Sequence, residues 1–382
     1  MKVSAKKPAQ PTKRRCWCEI NLSDLEHNLK FARRKVGSDR AIWCSVKANA
    51  YGHGLVRVAQ FLEENKLCNG LLCAHWKEAD ELRRAKIKLP ILLLSDFLKE
   101  ELETIFKLNA AVTLSSVHEL KMVEREARRS GVVARVHLKL DTGMTRLGAY
   151  AEEFRAMILQ ALRSRWIRVE GVYTHFANAD SNASFTRVQW GKFKNELPRH
   201  IASHACNSSG LLAAPYAYAD AVRIGIAAYG ISPDPSYQQL LRPILSWKTR
   251  IVFVKEIPKN TPISYGSTYA TKRKTRLATL GVGYGDGLLR ALSNRGCVLI
   301  DGKRCPILGN VTMDQIMVDV TDLPKAAAAK GTEAVLIGTQ KKGSISAQKM
   351  ADWANTIPYE ILTLINGRVD RVYVDSSRKK NA

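Results

Sequence analysis

The sequence predicts an α/β fold in which a (β/α)8 TIM-type barrel is followed by a mostly-β C-terminal domain. Strand-like apolar runs alternate with amphipathic helical segments roughly every 20 to 30 residues through the first two thirds of the chain. Beyond about Leu245 the texture changes to short β-branched runs separated by Pro, Gly, Asn and Asp. Polar residues with chemical uses also gather where the strand-like runs end, which is where a parallel barrel keeps its active site.

The elements follow in chain order. Residues 1–15, MKVSAKKPAQPTKRR, are basic and lack serial apolar residues, so they read as a disordered tail and not as a signal peptide. Residues 16–24 read as a strand that joins the C-terminal domain. Residues 25–244 carry the barrel, with strands expected at 41–46, 70–74, 90–94, 110–114, 134–140, 169–173, 202–206 and 221–226. Its clearest helices are 76–85, 98–108, 117–129 and 150–163. Strict alternation implies parallel strands with helical crossovers, and eight of them suggest closure. A doubly wound open sheet competes, although no G-x-G-x-x-G follows the first strand. Residues 245–382 read as β structure, with strands at 252–254, 275–280, 298–300, 316–320, 334–337 and 372–374.

Composition narrows the partners. A chain of 382 residues with 46% hydrophobic residues can bury a full core and exceeds the usual size of one domain. No run reaches the roughly 18 apolar residues of a membrane span, so no membrane partner is expected. Eight scattered cysteines without a C-x-x-C pair suggest neither a zinc site nor a disulfide framework, and a reducing cytoplasm fits best. The 60 Lys and Arg against 35 Asp and Glu give +25, which raises the question of a polyanion. The bases are spread along the whole length without interleaved aromatics or a nucleic-acid module, so no specific nucleic-acid partner is expected.

Lys47 sits in VKANAYGHG, directly after the first barrel run. A lysine at the carboxyl end of a buried strand, followed by small residues, presents one amine to a cavity, and the chemistry open to it is a Schiff base. Taken alone it reads equally as a lysine leaving the sheet for solvent. Lys139, Asp141 and Arg146 end or follow the fifth run, His175 the sixth, Asn207 and Ser208 the seventh, and Arg223, Gly225 and Ile226 the eighth. Singly these are a surface arginine, a core histidine and a helix N-cap. Their convergence on one mouth is what points to a site.

Specific motifs then occur in a fixed order: VKANAYGHG (46–54), KLDTGMTRLG (139–148), THFANAD (174–180), NSSG (207–210), RIGIAAYG (223–230), ISYGSTY (263–269), GYGDG (283–287) and GNVTMDQIMVDV (309–320). With them the chain resembles the alanine racemases from about residue 16 to residue 374. The resemblance implies that Lys47 carries pyridoxal 5'-phosphate as an internal aldimine and serves as one catalytic base, with Tyr265 as the other on the opposite face of the substrate. His175 would hydrogen-bond Tyr265, and Arg223 would polarise His175 and partner the pyridine nitrogen. The phosphate would lie against Tyr51, Ser208 and the amides of Gly225 and Ile226, with Asn207 also at the cofactor. Arg146 and the Met313 amide would meet the substrate carboxylate. Lys139 would orient Arg146, either carbamylated, as in some members of the family, or as an ordinary lysine paired with Asp141.

The same resemblance implies a homodimer in which the β domain of one subunit brings Tyr265 to the barrel of the other, and no metal. The expected activity is interconversion of L- and D-alanine in the cytoplasm, supplying D-alanine for peptidoglycan. Three positions depart from common family choices: Ile224 replaces a proline, Gly285 an alanine, and Gly367 falls near a pocket tyrosine. A broad-specificity racemase of the same family, acting on serine, lysine or others, is therefore the alternative.

Overall fold

The computed structural model describes residues 14–374, which divide into two compact units. One spans Asn21–Ile244. The other joins the strand residues up to Ile20 with Leu245–Val374.

The first unit is a closed parallel barrel of β2 (Ala41–Ser45), β3 (Gly70–Cys73), β4 (Ile91–Leu93), β5 (Ala110–Leu114), β6 (Ala134–Lys139), β7 (Ile167–Tyr173), β8 (Ser203–His204) and β9 (Ala221–Ile224). The Ala41↔Ala221 register between β2 and β9 closes the ring. Strands such as GLLC and AAVTL are buried along their whole length, as strands covered on both faces must be. The helix Val117–Ser130 shows how the outer layer forms. Ser116 Oγ accepts from the Glu119 amide at 3.1 Å, Leu120, Val123 and Ala127 form one buried stripe, and Gly131 at φ 67° ends the helix in the left-handed region. Each such leucine contributes about 2 kcal/mol by burial, and Leu120→Ala would cost roughly 2–5 kcal/mol with its cavity. The expected helix 98–108 is instead a 3-10 turn, Lys99–Glu101, running into the helix Leu102–Lys107.

The second unit is a sheet whose main path runs β15–β14–β17–β10–β1–β19. These are β1 (Cys16–Asn21), β10 (Leu245–Ile257), β14 (Cys297–Ile300), β15 (Lys303–Pro306), β17 (Glu333–Gln340) and β19 (Asp370–Val374). The strands β13 (Thr275–Leu280) and β16 (Ile316–Asp319) branch from β10, β18 (Gly343–Ile345) pairs with β17, and β11 (Pro262–Ile263) pairs with β12 (Tyr269–Ala270).

Four expectations need correction. The first strand stops at Asn21 and not at 24, because the Asn21 side chain accepts from the Ser23 and Asp24 amides and starts the helix Leu22–Val36. Arg14 and Arg15, assigned to the tail, are tied to the sheet: the Arg15 carbonyl accepts from the Arg250 amide at 3.1 Å and from Thr249 Oγ1 at 3.0 Å. The rest of the tail and residues 375–382 lie outside the described residues. β10 is far longer than the expected 252–254, since a register shift between Ile251 and Phe253 and its charged solvent face blur the alternation. The C-terminal unit also holds two helices, Ala347–Ala354 and Pro358–Leu364, started by the Ser346 side chain and by a first-turn proline.

Candidate active site

The site residues of the barrel stand on the carboxyl ends of its strands. Past β2, the Val46 amide donates to Leu72 O, and the chain then enters a left-handed turn. Ala48, Asn49, Ala50 and Tyr51 have φ of 51, 56, 52 and 53°, closed by the Ala50 amide on Val46 O at 2.7 Å and the Gly52 amide on Ala48 O at 2.9 Å. Left-handed residues with a Cβ cost about 1–2 kcal/mol each, so the surroundings must hold this turn. Glu78 does so. Its Oε1 accepts from the Ala48 amide at 2.6 Å and its Oε2 from the Ala74 amide at 2.7 Å, which ties the β2 turn to the β3 turn. Lys47 is thereby half-buried at the mouth. Burial and then the Arg146 charge lower its pKa from 10.5, against the pull of Glu78.

Arg223, on β9, is fully buried. Its Nη1 donates to His204 Nδ1 and to His204 O, and its Nη2 donates to Thr174 O at 2.7 Å and Ala205 O at 2.9 Å, with His175 Nδ1 at 3.3 Å. The Nε–H is the remaining donor of the fork. Burial pushes the Arg223 pKa down to about 10, so the guanidinium stays charged at neutral pH. Because arginine only donates, it dictates tautomers: His175 Nδ1 accepts, which leaves the proton on Nε2, and His204 must pass its own Nε2–H to His137 Nδ1, 2.9 Å away. Burial, then the Arg223 charge, holds both His175 and His204 well below the usual histidine pKa, and His137 falls to about 3 for the same reasons.

Asn207 caps the helix Ser208–Ala213 through the Gly210 amide, 2.9 Å, and its Nδ2 stands 3.5 Å from His175 Nε2. Ser208 Oγ accepts from the Gly225 amide at 2.9 Å and the Ala227 amide at 3.3 Å. The Tyr51 hydroxyl lies 2.5 Å from where a Cβ on Gly225 would fall, so no side chain fits there. A phenol, a hydroxyl and backbone amides around a bare glycine suit a phosphate, and Ile226 continues this segment with its side chain in the core.

Lys139, at the end of β6, is buried with its Nζ 5.5 Å from the centre of the Tyr173 ring. Burial and the Arg146 and Arg223 charges lower its pKa to about 8. No ion pair joins it to Asp141 among the described residues. Asp141 Oδ1 instead accepts from the amides of Gly143, Met144 and Thr145 and shapes the loop that carries exposed Arg146.

Tyr265 and Met313 belong to the other unit. Tyr265 is 77% exposed between Ser264 and Gly266, both at positive φ, and its carbonyl accepts from Asn310 Nδ2 at 2.7 Å. Met313 is 52% exposed, and its carbonyl accepts from the Gly285 amide at 2.8 Å beside exposed Tyr284. The residues that sequence reasoning missed are Glu78, His137, His204 and Tyr173. A period-2 reading back from Lys139 would have placed His137 on the same face of β6.

The alanine racemase N-terminal domain family matches residues 20–233, and the alanine racemase C-terminal domain family matches residues 244–373. An alanine racemase of Methylacidiphilum infernorum is 42% identical over 369 residues, which covers 96% of this chain and 94% of that protein. The crystal structure of alanine racemase from Bacillus anthracis with bound L-Ala-P is 34% identical, with a TM-score of 0.87 and 96% of each chain covered. That of Bartonella henselae with covalently bound pyridoxal phosphate is 28% identical, with a TM-score of 0.86, covering 94% of this chain and all of that one. Two consecutive family domains in the right order, and full-length identity at this level, establish that the chain belongs to the alanine racemase family.

Proposed function

We propose that this protein interconverts L- and D-alanine with pyridoxal phosphate held at the barrel mouth. The observation that carries the reading is buried, charged Arg223, whose fork is satisfied at both Nη atoms and keeps Nε–H for a ring nitrogen. A donor at that position opposes protonation of the nitrogen, where a carboxylate would favour it. Lys47 would hold the cofactor, Tyr51, Ser208, Asn207, Gly225 and Ile226 its phosphate end, and Arg146 with the Met313 amide the substrate carboxylate. When bound there, the cofactor supplies a conjugated electron sink that acidifies the α C–H of an attached amino acid.

The protein's part is to move one proton on each face. On one face the Lys47 amine would take or return the α-proton; its lowered pKa favours the neutral, proton-accepting form. On the other face Tyr265 of the partner subunit does the complementary transfer, in a homodimer with composite sites. The His175 Nε2–H fits a donor to that tyrosine's oxygen, steadying it when it has given up its proton. The product D-alanine suits peptidoglycan synthesis in the cytoplasm; among the described residues no helix is long and apolar enough to cross a membrane.

The test is conversion of each enantiomer across a panel of amino acids in deuterated water. Equal end points from both alanine enantiomers, with solvent deuterium entering the α position, are expected. Failure to convert alanine while another amino acid is racemised would overturn the substrate, and no conversion of any would overturn the reaction.

A further inference from the structure

The fold gathers bases that the sequence scatters. In a (β/α)8 barrel every helix ends, and every following strand begins, on the face opposite the mouth, so successive helix-to-strand connections become neighbours in space. Arg34, Lys35 and Arg40 lie on the way into β2, and Arg84, Lys86 and Lys88 on the way into β4. Lys107, Arg128 and Arg129 close the next two helices. Arg163, Arg165 and Arg168 bracket the start of β7, and Lys192, Lys194 and Arg199 precede β8. All are exposed, and the exposed carboxylates interspersed with them are fewer: Asp39, Glu64, Glu81, Glu103 and Asp220, of which Glu103 pairs with Lys107 at 2.7 Å and Arg129 at 3.7 Å. Contacts join these connections directly. Arg33 Nη2 donates to Asn69 Oδ1 at 3.2 Å, Arg83 Nε to Leu108 O at 2.9 Å, Arg135 Nη1 to Asn109 O at 3.1 Å, and Arg40 Nε to Ala219 O at 3.0 Å.

Bases in the last turn of a helix offset its dipole, and this accounts for Arg34, Lys35, Arg84 and Arg128. It does not account for Arg40, Lys86, Lys88, Arg165, Arg168 and Arg199, which stand beyond the last helical turn. Among the described residues only Arg168 of these six has a carboxylate within ion-pair reach, Glu170 at 3.7 Å. Within the same face Val133 is 54% exposed, and the next residue, Ala134, donates its amide to Trp166 O at 2.9 Å. The Arg165 guanidinium lies 4.9 Å from the centre of the Trp166 ring.

We propose that this face of the barrel docks the protein peripherally on an anionic lipid surface. One end of a barrel offers many connections to a plane at once, and unpaired cations there are attracted to an anionic leaflet. A bare valine beside a tryptophan amid those cations matches the composition found at headgroup depth, where an indole sits with one side apolar and the other wet. The face points away from Lys47, so docking leaves the mouth clear of the lipid surface.

The test is co-sedimentation of the full-length, cofactor-loaded protein with vesicles of phosphatidylcholine alone and of phosphatidylcholine mixed with phosphatidylglycerol. Binding to the anionic vesicles alone is expected, with release at about 0.5 M salt. The variant K86Q/K88Q/R165Q/R168Q/R199Q should bind at least about a hundredfold more weakly, with an unchanged melting temperature and alanine turnover, and Val133→Ser alone should weaken binding several-fold. Absence of binding to anionic vesicles would overturn the proposal. So would an equal affinity of the five-fold variant, which would move the attraction to another surface, or tighter binding to a DNA duplex than to the vesicles at the same salt.

Discussion

The Glu78 carboxylate accepts the Ala48 amide at 2.6 Å, one residue after Lys47. This contact holds the left-handed turn that aims the lysine, and Glu78 also favours the charged form of its amine. Glu78→Gln keeps one carbonyl oxygen but loses the second acceptor and the charge. Turnover should fall by about tenfold to a hundredfold, as expected when a reacting group is misplaced. Without the carboxylate the Lys47 pKa falls further, so acylation of Lys47 in cofactor-free protein, followed by peptide mass spectrometry, should reach half-maximum at lower pH. An unmoved midpoint with normal turnover would refute this positioning role.

Tyr265 and Lys47 lie in different units, and the proposed dimer makes the sites composite. Lys47→Ala and Tyr265→Ala proteins should each be nearly inactive. Mixed under conditions of demonstrated subunit exchange, they should regain activity, because one site of each hybrid carries both native residues. Inactive hybrids would count against the shared site.

Acid should unfold the barrel through its buried histidines. His137, His175 and His204 have folded pKa values below 6.5, so under acid conditions the unfolded chain binds protons that the folded one refuses. Their stabilisation is present above pH 6.5 and is lost as pH falls below it, by up to about 1.4 kcal/mol per pH unit for each group. Urea midpoints between pH 7 and 4.5 should trace this slope, and His137→Gln should make it shallower. A slope identical to wild type would exclude His137 as a contributor.

Gly285 and Gly367 offer opposite substitutions. A Cβ on Gly285 would fall 2.4 Å from Arg368 Nη1, whereas one on Gly367 would meet nothing within 4 Å. Gly367→Tyr should therefore leave the melting temperature within about 2 °C of wild type, a surface-sized effect. Gly285→Ala must displace the Arg368 side chain, which pairs with Asp314 at 2.7 Å and Asp286 at 3.3 Å. It should lower stability by about 1 kcal/mol. If Gly367 widens the pocket, its tyrosine variant should also lower the serine-to-alanine activity ratio.

Lys139 carries an amine that burial and the Arg146 and Arg223 charges hold at a pKa of about 8, and among the described residues no ion pair joins it to Asp141. An amine depressed this far has a neutral fraction near neutral pH, able to add CO2, lose a proton and become a carbamate anion that the Arg146 and Arg223 charges would favour. Native mass spectrometry should show the added mass of one CO2, absent from Lys139→Met. If the site stays an amine, Lys139→Met should stabilise the protein at pH 7 by about 2–3 kcal/mol, because a depressed lysine pKa is a penalty below it. That advantage should fade as pH rises from 8 to 10.5.

The barrel was legible because its strands are buried on both faces and read as unbroken apolar runs, and Lys47 because it ends one of them. The turn after it was not. Ala48, Ala50 and Tyr51 give no compositional sign of positive φ, which long-range partners such as Glu78 impose. Glu78 itself reads as an ordinary acid in the first turn of a helix, where it completes a capping box with His75. The length of β10 was hidden by its register shift. The helices Ala347–Ala354 and Pro358–Leu364 were lost among short runs that suit strand and helix alike. The basic face escaped because charge clustering was sought along the chain, while the barrel sums it across connections.

The strand β1 lies between β10 and β19 in its sheet, although residues 22–244 of the chain intervene before β10. It is made before the barrel and finds its neighbours only after it. At 5–20 residues per second this wait lasts about 10 to 45 s, long enough for the barrel to fold first. Throughout that interval Trp17, Cys18 and Ile20, all buried in the finished sheet, are carried on an unpaired strand with both edges open. The nascent protein therefore has its greatest need of a chaperone at β1, after the barrel is already native.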